Sequence, residues 1–475
     1  MTNRENPVVQ GRLKRTLPLA GLTARTVGER FVAEVRERTG ESGAMDRFHE
    51  RTAARYTDLL GNSKGAMMKI GQLLSMIDLD GGGTTGRSPY QEALTRLQSD
   101  APPMAPELVR DVLAAELPTA ADLFVHFDEE PIAAASIGQV HRGVLHDGRD
   151  VAVKIQYPGV AQAIREDLAN TELMATLVRF ATSASSGGST LFDHRSLVHE
   201  MAERIGEEVD YRREASTITA FADLYRGHPF IHVPDVVPEA STDRVLTMTY
   251  LDGMGWAAAQ LADQELKNTW AEVVIRFSDG NFRHSNLLYA DPHPGNYRFH
   301  PDGSIGFVDF GCVKVLSEDK RRLWVSIMRN VIDGDIISLR NDLVTAGFIA
   351  AGSPLTAEDI YEWYSQVLYE VVLAPQPATY NAKSGARTAR WLFDLDSDNP
   401  LSRMVVPEDY VFAPRIYQAI STICGALEAT LPARAIADDM DGVAEPVTRL
   451  GRLHHDWVRE RGLPSATDIH ESTLT

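Results

Sequence analysis

The sequence predicts an α+β protein with a small strand-bearing lobe, a larger helical lobe and a helical extension ahead of both. Three observations predict it. Apolar residues alternate with period two between residues 122 and 156 and again in Arg244–Tyr250. From Leu261 onward the apolar spacing is mainly helical. Within that second region, Leu288–Lys314 departs from helical spacing and carries Asp291, Asn296 and the triplet Asp309-Phe310-Gly311 among turn-forming residues.

The 475 residues suffice for two or three lobes with real cores. Apolar residues make up 44% and charged residues 24%, as in an ordinary globular chain. The 47 basic and 66 acidic side chains leave a net charge of −19, which argues against a nucleic-acid binder and reads as a solvated acidic surface. The two cysteines, Cys312 and Cys424, cannot build a disulfide framework or a zinc cluster and fit a reducing cytoplasm. No apolar run is long enough for a membrane span, and the N-terminus lacks a signal-peptide core. Residues 1–28 set Arg4, Arg12, Lys14, Arg15 and Arg25 against Glu5, with leucines interspersed. They read either as a loosely packed arm or as a segment lying on a membrane surface.

Taken in order, residues 1–60 form a basic arm and a polar helix, and residues 61–120 a helical extension. In the extension Ser63 can cap a helix whose stripe is Met67, Ile70, Leu74 and Ile77, with Lys69 and Gln72 on another face. Gly71 costs that helix about 1 kcal/mol relative to Ala, so something packs close to its backbone. A Gly-rich break at 81–86 and Pro102-Pro103 divide further helices, the last beginning at Pro106.

Residues 121–252 form the strand-bearing lobe with inserted helices. Val151, Val153 and Ile155 share one face of a strand over Asp150–Gln156, and Ala152 and Lys154 share the other. Ahead of it lies an alanine-rich loop, Ala133, Ala134, Ala135 and Ser136, and His146-Asp147-Gly148 is a hairpin turn. Residues 192–226 read as a long helical stretch in which Asp210 and Glu214 stand one turn apart. Val233–Val237 and Arg244–Tyr250 read as strands, followed by a turn at Leu251-Asp252-Gly253. Residues 253–460 form the helical lobe, with an irregular insert at 375–402, and residues 461–475 a disordered tail.

The spacing of Asp291 and Asn296 is that of the kinase catalytic loop H-R-D-x-x-x-x-N, and Asp309 opens the metal-binding D-F-G triplet. Phosphoryl transfer from ATP needs the triphosphate neutralised by Mg²⁺ and the acceptor held in line. Mg²⁺ prefers oxygen ligands, which Asn296 and Asp309 offer, while Asp291 is placed to orient or deprotonate a hydroxyl or water. Val151–Lys154 matches the V-A-I-K strand, whose lysine pairs with the phosphates, and Ala152 would then line the adenine. Glu214 is the candidate helix partner of Lys154. Met248, Tyr250 and Leu251 stand where a kinase grips the adenine edge. Each feature alone has an ordinary structural reading: a tight turn at Pro292–Gly295, a solvated lysine, a charged helix face.

Together, and in order, they make the chain similar to the ABC1/AarF/UbiB (ADCK) atypical kinases over roughly residues 60–345. The matching pieces are Lys69-Ile70-Gly71-Gln72 for K-x-G-Q, Ala133–Ser136 for the Ala-rich loop, Val151–Lys154, Glu208-Val209-Asp210 for E-x-D, Ala290–Asn296 and Asp309–Gly311. The resemblance implies a protein-kinase-like fold whose extension covers the active site, with Lys69 and Gln72 against Glu208 and Asp210. It implies ATP (or ADP) and Mg²⁺ as cofactors, a lipid or quinone-precursor ligand, and peripheral contact with a membrane. The implied activity is that of an ATPase or small-molecule kinase serving isoprenoid quinone or other lipid metabolism. A nucleotide-regulated scaffold and a soluble small-molecule phosphotransferase are the alternatives. Tyr289 replaces the family's frequent His, Thr249 the Glu of a Met-Glu-Tyr hinge, and the C-terminal membrane segments of some members are missing. Alanine also cannot adopt positive φ cheaply, so the loop at 133–136 cannot cradle phosphate as a glycine loop does.

Overall fold

The computed structural model describes residues 103–135, 137–169, 209–393 and 404–466, with residues 29, 32, 36, 43, 47, 48, 51, 206, 207 and 401. Lys69, Gly71, Gln72, Ser136 and Glu208, the helices expected before residue 100 and the tail after 466 lie outside the described residues. The chain divides into two compact units. A sheet unit takes residues 1–186, 194–213 and 237–249, and a helical unit takes 187–193, 214–236 and 250–475.

The sheet unit opens on α1 (Pro106–Glu116), where Pro106 takes the first turn after an extended Ala105 and Val109, Val112 and Leu113 are the buried stripe. Strands β1 (Phe124–Phe127), β2 (Ala133–Ala135), β3 (Gly138–Leu145) and β4 (Asp150–Gln156) follow, then α2 (Val160–Leu168). The chain passes through α3 (Tyr211–Leu224) and β5 (Ile231–His232) before it returns to the sheet as β6 (Val245–Thr249). The order is β1-β3-β4-β6, with β2 also on β3, and every pairing is antiparallel. The period-two pattern explains the core: Val151, Val153 and Ile155 are each 0% exposed. Gly138 is fixed by packing, because a Cβ there would lie 2.1 Å from the Ile155 carbonyl oxygen. A neutral hydrogen-bond chain ties the segment before α1 to the sheet. The Met104 N–H donates to Gln139 Oε1 (2.7 Å), the Gln139 amide to His141 Nε2 (2.8 Å) and His141 Nδ1–H to the Asp128 carbonyl (2.7 Å).

In the helical unit the long helix α4 (Gln264–His284) begins at Asp263, whose carboxylate accepts from the Leu266 N–H. Trp270, Ala271, Val273, Val274 and Phe277 on it are all 0% exposed. Strands β7 (Leu287–Tyr289), β8 (Tyr297–Phe299), β9 (Ile305–Phe307) and β10 (Val313–Val315) make two small sheets, β10-β7 and β5-β9-β8, in which β5 runs parallel to β9. Helices α5 (Glu318–Asp333), α6 (Ile336–Thr345) and α7 (Ala357–Val367) follow, the last started by a capping box of Thr356 and Asp359. Next come β11 (Ala378–Thr379), α8 (Ala382–Phe393), α9 (Ala413–Ala426), β12 (Thr430–Leu431), α10 (Ala433–Met440) and α11 (Arg449–Arg461). No helix among the described residues is long and apolar enough to cross a membrane.

Four expectations need correction. The irregular insert at 375–402 contains α8. Among its described side chains the buried ones are Ser384, Gly385 and Thr388, small residues that carry no apolar stripe. They let α8 approach α9 so closely that a Cβ on Gly385 would lie 2.2 Å from Thr422 Oγ1. The strand expected at Val233–Val237 lies earlier, at Ile231–His232, because those residues pair with Ile305 and Gly306. Ala133–Ala135 is a strand on β3 and not a loop. Asp210 precedes α3, so it does not share a helix face with Glu214. Its carboxylate accepts from the N–H groups of Arg212 and Arg213 (both 3.1 Å) and starts the helix.

Candidate active site

Within the sheet unit, strand register gathers the expected nucleotide residues. Ala152 stands opposite Met248 on β6 and Arg142 on β3, and Lys154 opposite Leu246 and Val140. Val140 in turn faces Ala133, and Ala134 and Ala135 complete β2. Met248 is buried and Ala152 half-buried. The Lys154 side chain is not a solvated one: the residue is 6% exposed, and its Nζ lies 5.2 Å from the centre of the Tyr211 ring. The next residue on that face, Gln156, donates to the Val209 carbonyl (2.8 Å) and so fixes the segment that enters α3.

Within the helical unit the two loops are held on one framework. Tyr289 pairs with Val313 across β7 and β10, and the Ala290 N–H donates to the Cys312 carbonyl (3.0 Å). The start of the Asp291 loop therefore sits beside the start of β10. The loop continues through a 3-10 turn, Pro294–Asn296, with the Asn296 N–H on the His293 carbonyl (2.9 Å). The Val308 N–H then donates to the Asn296 carbonyl (3.0 Å), which sets Asn296 against the residue next to Asp309. Asp309 Oδ1 accepts from the Gly311 N–H (3.0 Å), so a turn orients the carboxylate. Phe310 is 1% exposed, with its ring 4.8 Å from Phe221 and 5.7 Å from Tyr289.

Tyr289 is a core residue. It is 1% exposed, packs on Phe277 (5.1 Å), and burial pushes its phenol pKa well above the ordinary value, so the position contributes a neutral ring. Glu214 is 3% exposed in the first turn of α3. Tyr250 and Leu251 are half-buried, and Leu251 Cδ1 lies 3.1 Å from where a Gly306 Cβ would stand.

The donor set suits Mg²⁺ bound together with a nucleotide. Among the described residues no group of three or more His, Cys, Asp or Glu side chains is poised to hold a metal alone. Asn296 and Asp309 carry hard oxygens of the kind such a shell would take beside phosphates and water. The sequence reading missed one neighbour of the site. Arg415, on α9, donates to Asp291 Oδ1 at 2.6 Å. No local pattern marks it, since it lies 124 residues downstream on an ordinary amphipathic helix.

These loops and the strand lysine define a kinase-like class, and the comparisons with known proteins give the family. Residues 96–343 match the model of the ABC1 atypical kinase-like domain, and the chain belongs to that family. It is 31% identical over 342 residues to the mitochondrial atypical kinase COQ8B of Rattus norvegicus, covering 70% of this chain and 62% of the relative. It is 34% identical over 267 residues to the mitochondrial atypical kinase COQ8 of Saccharomyces cerevisiae, covering 56% and 51%. The chain thus spans between half and two thirds of these curated relatives. Among solved structures, that of Rv3197 from Mycobacterium tuberculosis in complex with erythromycin is 30% identical, with a TM-score of 0.58, covering 87% of this chain and 99% of that one.

Proposed function

We propose that the chain binds Mg-ATP and either hydrolyses it or passes its γ-phosphoryl group to a small-molecule or lipid acceptor, in support of isoprenoid quinone or other lipid metabolism. Lys154, paired with Glu214, would position the phosphates, and Ala133–Ser136, Ala152, Met248, Tyr250 and Leu251 would surround the nucleotide. Asn296 and Asp309 would hold Mg²⁺, which supplies charge neutralisation at the phosphates when bound. Asp291 would accept a hydrogen bond from the attacking hydroxyl or water. Lys69, Gly71, Gln72, Glu208 and Asp210 would restrict access to the site. The observation that carries this reading is the bond from Val308 N–H to the Asn296 carbonyl, with the Asp309 turn immediately after it.

The test is phosphate release from Mg-ATP, with and without liposomes, by wild type and Asp309→Asn. Turnover that liposomes raise and the variant loses supports a lipid-linked ATPase at a membrane surface. Full turnover in Asp309→Asn overturns the reading. The strand formed by Ala133–Ala135, in place of a glycine loop, favours a second reading, a nucleotide-regulated scaffold. That reading requires nucleotide to raise the melting temperature while no phosphate is released. The erythromycin complex of the Mycobacterium tuberculosis relative makes a macrolide a further ligand to include in the same melting assay.

A further inference from the structure

We propose that Arg415 is a positioning residue for Asp291. The inference rests on the phosphoryl-transfer reading above and adds a residue from outside the family-matched stretch 96–343. The Arg415 side chain is 12% exposed and that of Asp291 22%, with Nη2 to Oδ1 at 2.6 Å. A charge-assisted bond of this length between two largely shielded groups is strong and directional.

The arginine stands on a rigid base. It lies in the first turn of α9, right after Pro414, and Ile416, Ile420, Ile423 and Cys424 of the same helix are buried. The close approach of the residue that precedes α8 fixes the helix further, since a Cβ on Gly425 would lie 2.4 Å from the Asn381 carbonyl oxygen. Asp291 sits in the loop that follows β7, where its own carbonyl accepts from the His293 N–H (2.8 Å). An aspartate side chain in general has several staggered rotamers, and a guanidinium of fixed direction selects one. With Oδ1 engaged by Arg415, Oδ2 is the oxygen that would receive the attacking group's proton or hydrogen bond. Near-attack geometry is sensitive to such placement: misplacing a reacting group by about 1 Å can cost about 100-fold in rate.

The test compares Mg-ATP phosphate release and nucleotide affinity in full-length wild type, Arg415→Ala, Arg415→Lys, Asp291→Asn and the double variant Arg415→Ala/Asp291→Asn. Arg415→Ala is expected to lower kcat about 10- to 100-fold with nucleotide Kd unchanged within about twofold. Arg415→Lys, which keeps the charge without the planar fork, is expected to fall between wild type and Arg415→Ala. The double variant is expected to be no slower than Asp291→Asn alone, because the arginine acts through the aspartate. A merely structural arginine would instead add its cost to that of Asp291→Asn and lower the melting temperature. Arg415→Lys, which retains an ion pair, carries the same comparison if Arg415→Ala does not fold.

Wild-type kcat in Arg415→Ala, or in Arg415→Lys where Arg415→Ala does not fold, alongside an impaired Asp291→Asn, overturns the inference and leaves the proposed function standing. A rise in kcat overturns it too, since the pair would then be a brake. Unchanged turnover in Asp291→Asn and Asp309→Asn overturns the phosphoryl-transfer reading itself.

Discussion

In the sheet unit the buried polar side chains other than Lys154, namely Gln139, His141, Gln156 and Thr247, are matched by neutral hydrogen bonds: Gln156 to the Val209 carbonyl (2.8 Å), Thr247 to the Ala240 carbonyl (2.6 Å). In the helical unit the deepest polar groups include full charges. Arg276, 0% exposed, meets Glu272 (2.8 Å) and both oxygens of Asp439 (2.7 and 2.8 Å), and Arg283 meets Asp441 (2.7 Å). Arg276, Arg283 and Glu272 belong to α4, within the family-matched stretch, whereas Asp439 and Asp441 lie beyond residue 343. The difference teaches how the later helices are fastened. Neutral hydrogen bonds align strands that apolar packing already holds, while a buried charge has no acceptable alternative to its partner and so fixes α10 against α4.

Breaking that fastening should give the largest effect. Arg276→Ala leaves Glu272 and Asp439 buried without their cation and is expected to cost about 3–5 kcal/mol. Urea unfolding followed by tryptophan fluorescence reads this directly, because all six tryptophans lie in the helical unit. Replacing Arg276, Glu272 and Asp439 together by Met, Leu and Leu should restore most of the loss, since well-packed apolar groups escape the desolvation cost. A loss of under about 1 kcal/mol in Arg276→Ala would mean that apolar packing alone holds α10.

A second fastening sharpens the comparison because it is buried yet uncharged. His228 Nδ1 accepts from the Phe230 and Ile231 N–H groups (3.3 and 3.0 Å), so its proton is on Nε2 and is donated to His454 Nδ1 (3.0 Å). His454 then donates from Nε2 to His284 Nε2 (3.0 Å), and His284 Nδ1–H to the Pro464 carbonyl (2.9 Å). Three neutral imidazoles thus join β5's approach, α4 and α11, with Trp457 and Tyr225 packed around them. Burial holds the pKa values of His228 and His454 well below the ordinary value. Arg276 lowers both further, and so do neighbouring imidazoles that resist being charged together, His284 at both, His232 at His228 and His455 at His454. Below about pH 6.5 the unfolded chain therefore binds protons that the folded unit refuses. Stability is complete above that pH and should fall beneath it, by up to about 1.4 kcal/mol per pH unit for each of the two histidines. Urea midpoints by tryptophan fluorescence between about pH 7 and about pH 5.5 measure the slope, and His454→Leu should make it shallower while lowering stability throughout. An equal slope in the variant would trace the acid sensitivity to other groups.

What the sequence made legible follows from the same contrast. Period-two alternation is local, so β4 was readable at Asp150–Gln156 with its two faces assigned. The Asp291, Asn296 and Asp309 loops were readable because their spacing is itself the signal, and both fall on one framework. Pairings across long separations carry no local mark. Arg415 meets Asp291 from 124 residues away, and His228 meets His454 from 226. Helix α8 was read as irregular because its described buried side chains are Ser384, Gly385 and Thr388, which apolar periodicity ignores. Asp210 read as a helix-face charge, yet it acts as a cap, a role that depends on where the helix starts.

The smallest expected effect tests the sheet side of the comparison. Ile155→Val removes one methylene from a 0%-exposed position on β4, opposite Val245 on β6 and Gln139 on β3. The cost should be about 0.5–1.5 kcal/mol, the transfer energy of the group plus a small cavity term. Because the sheet unit contains no tryptophan, the readout is hydrogen exchange of the β3 and β4 amides. Their protection should fall by that amount equally at low and high salt, since no charge is involved. A salt-dependent loss in Ile155→Val would mean that charge contributes on the sheet side as well and would erase the distinction between the two units.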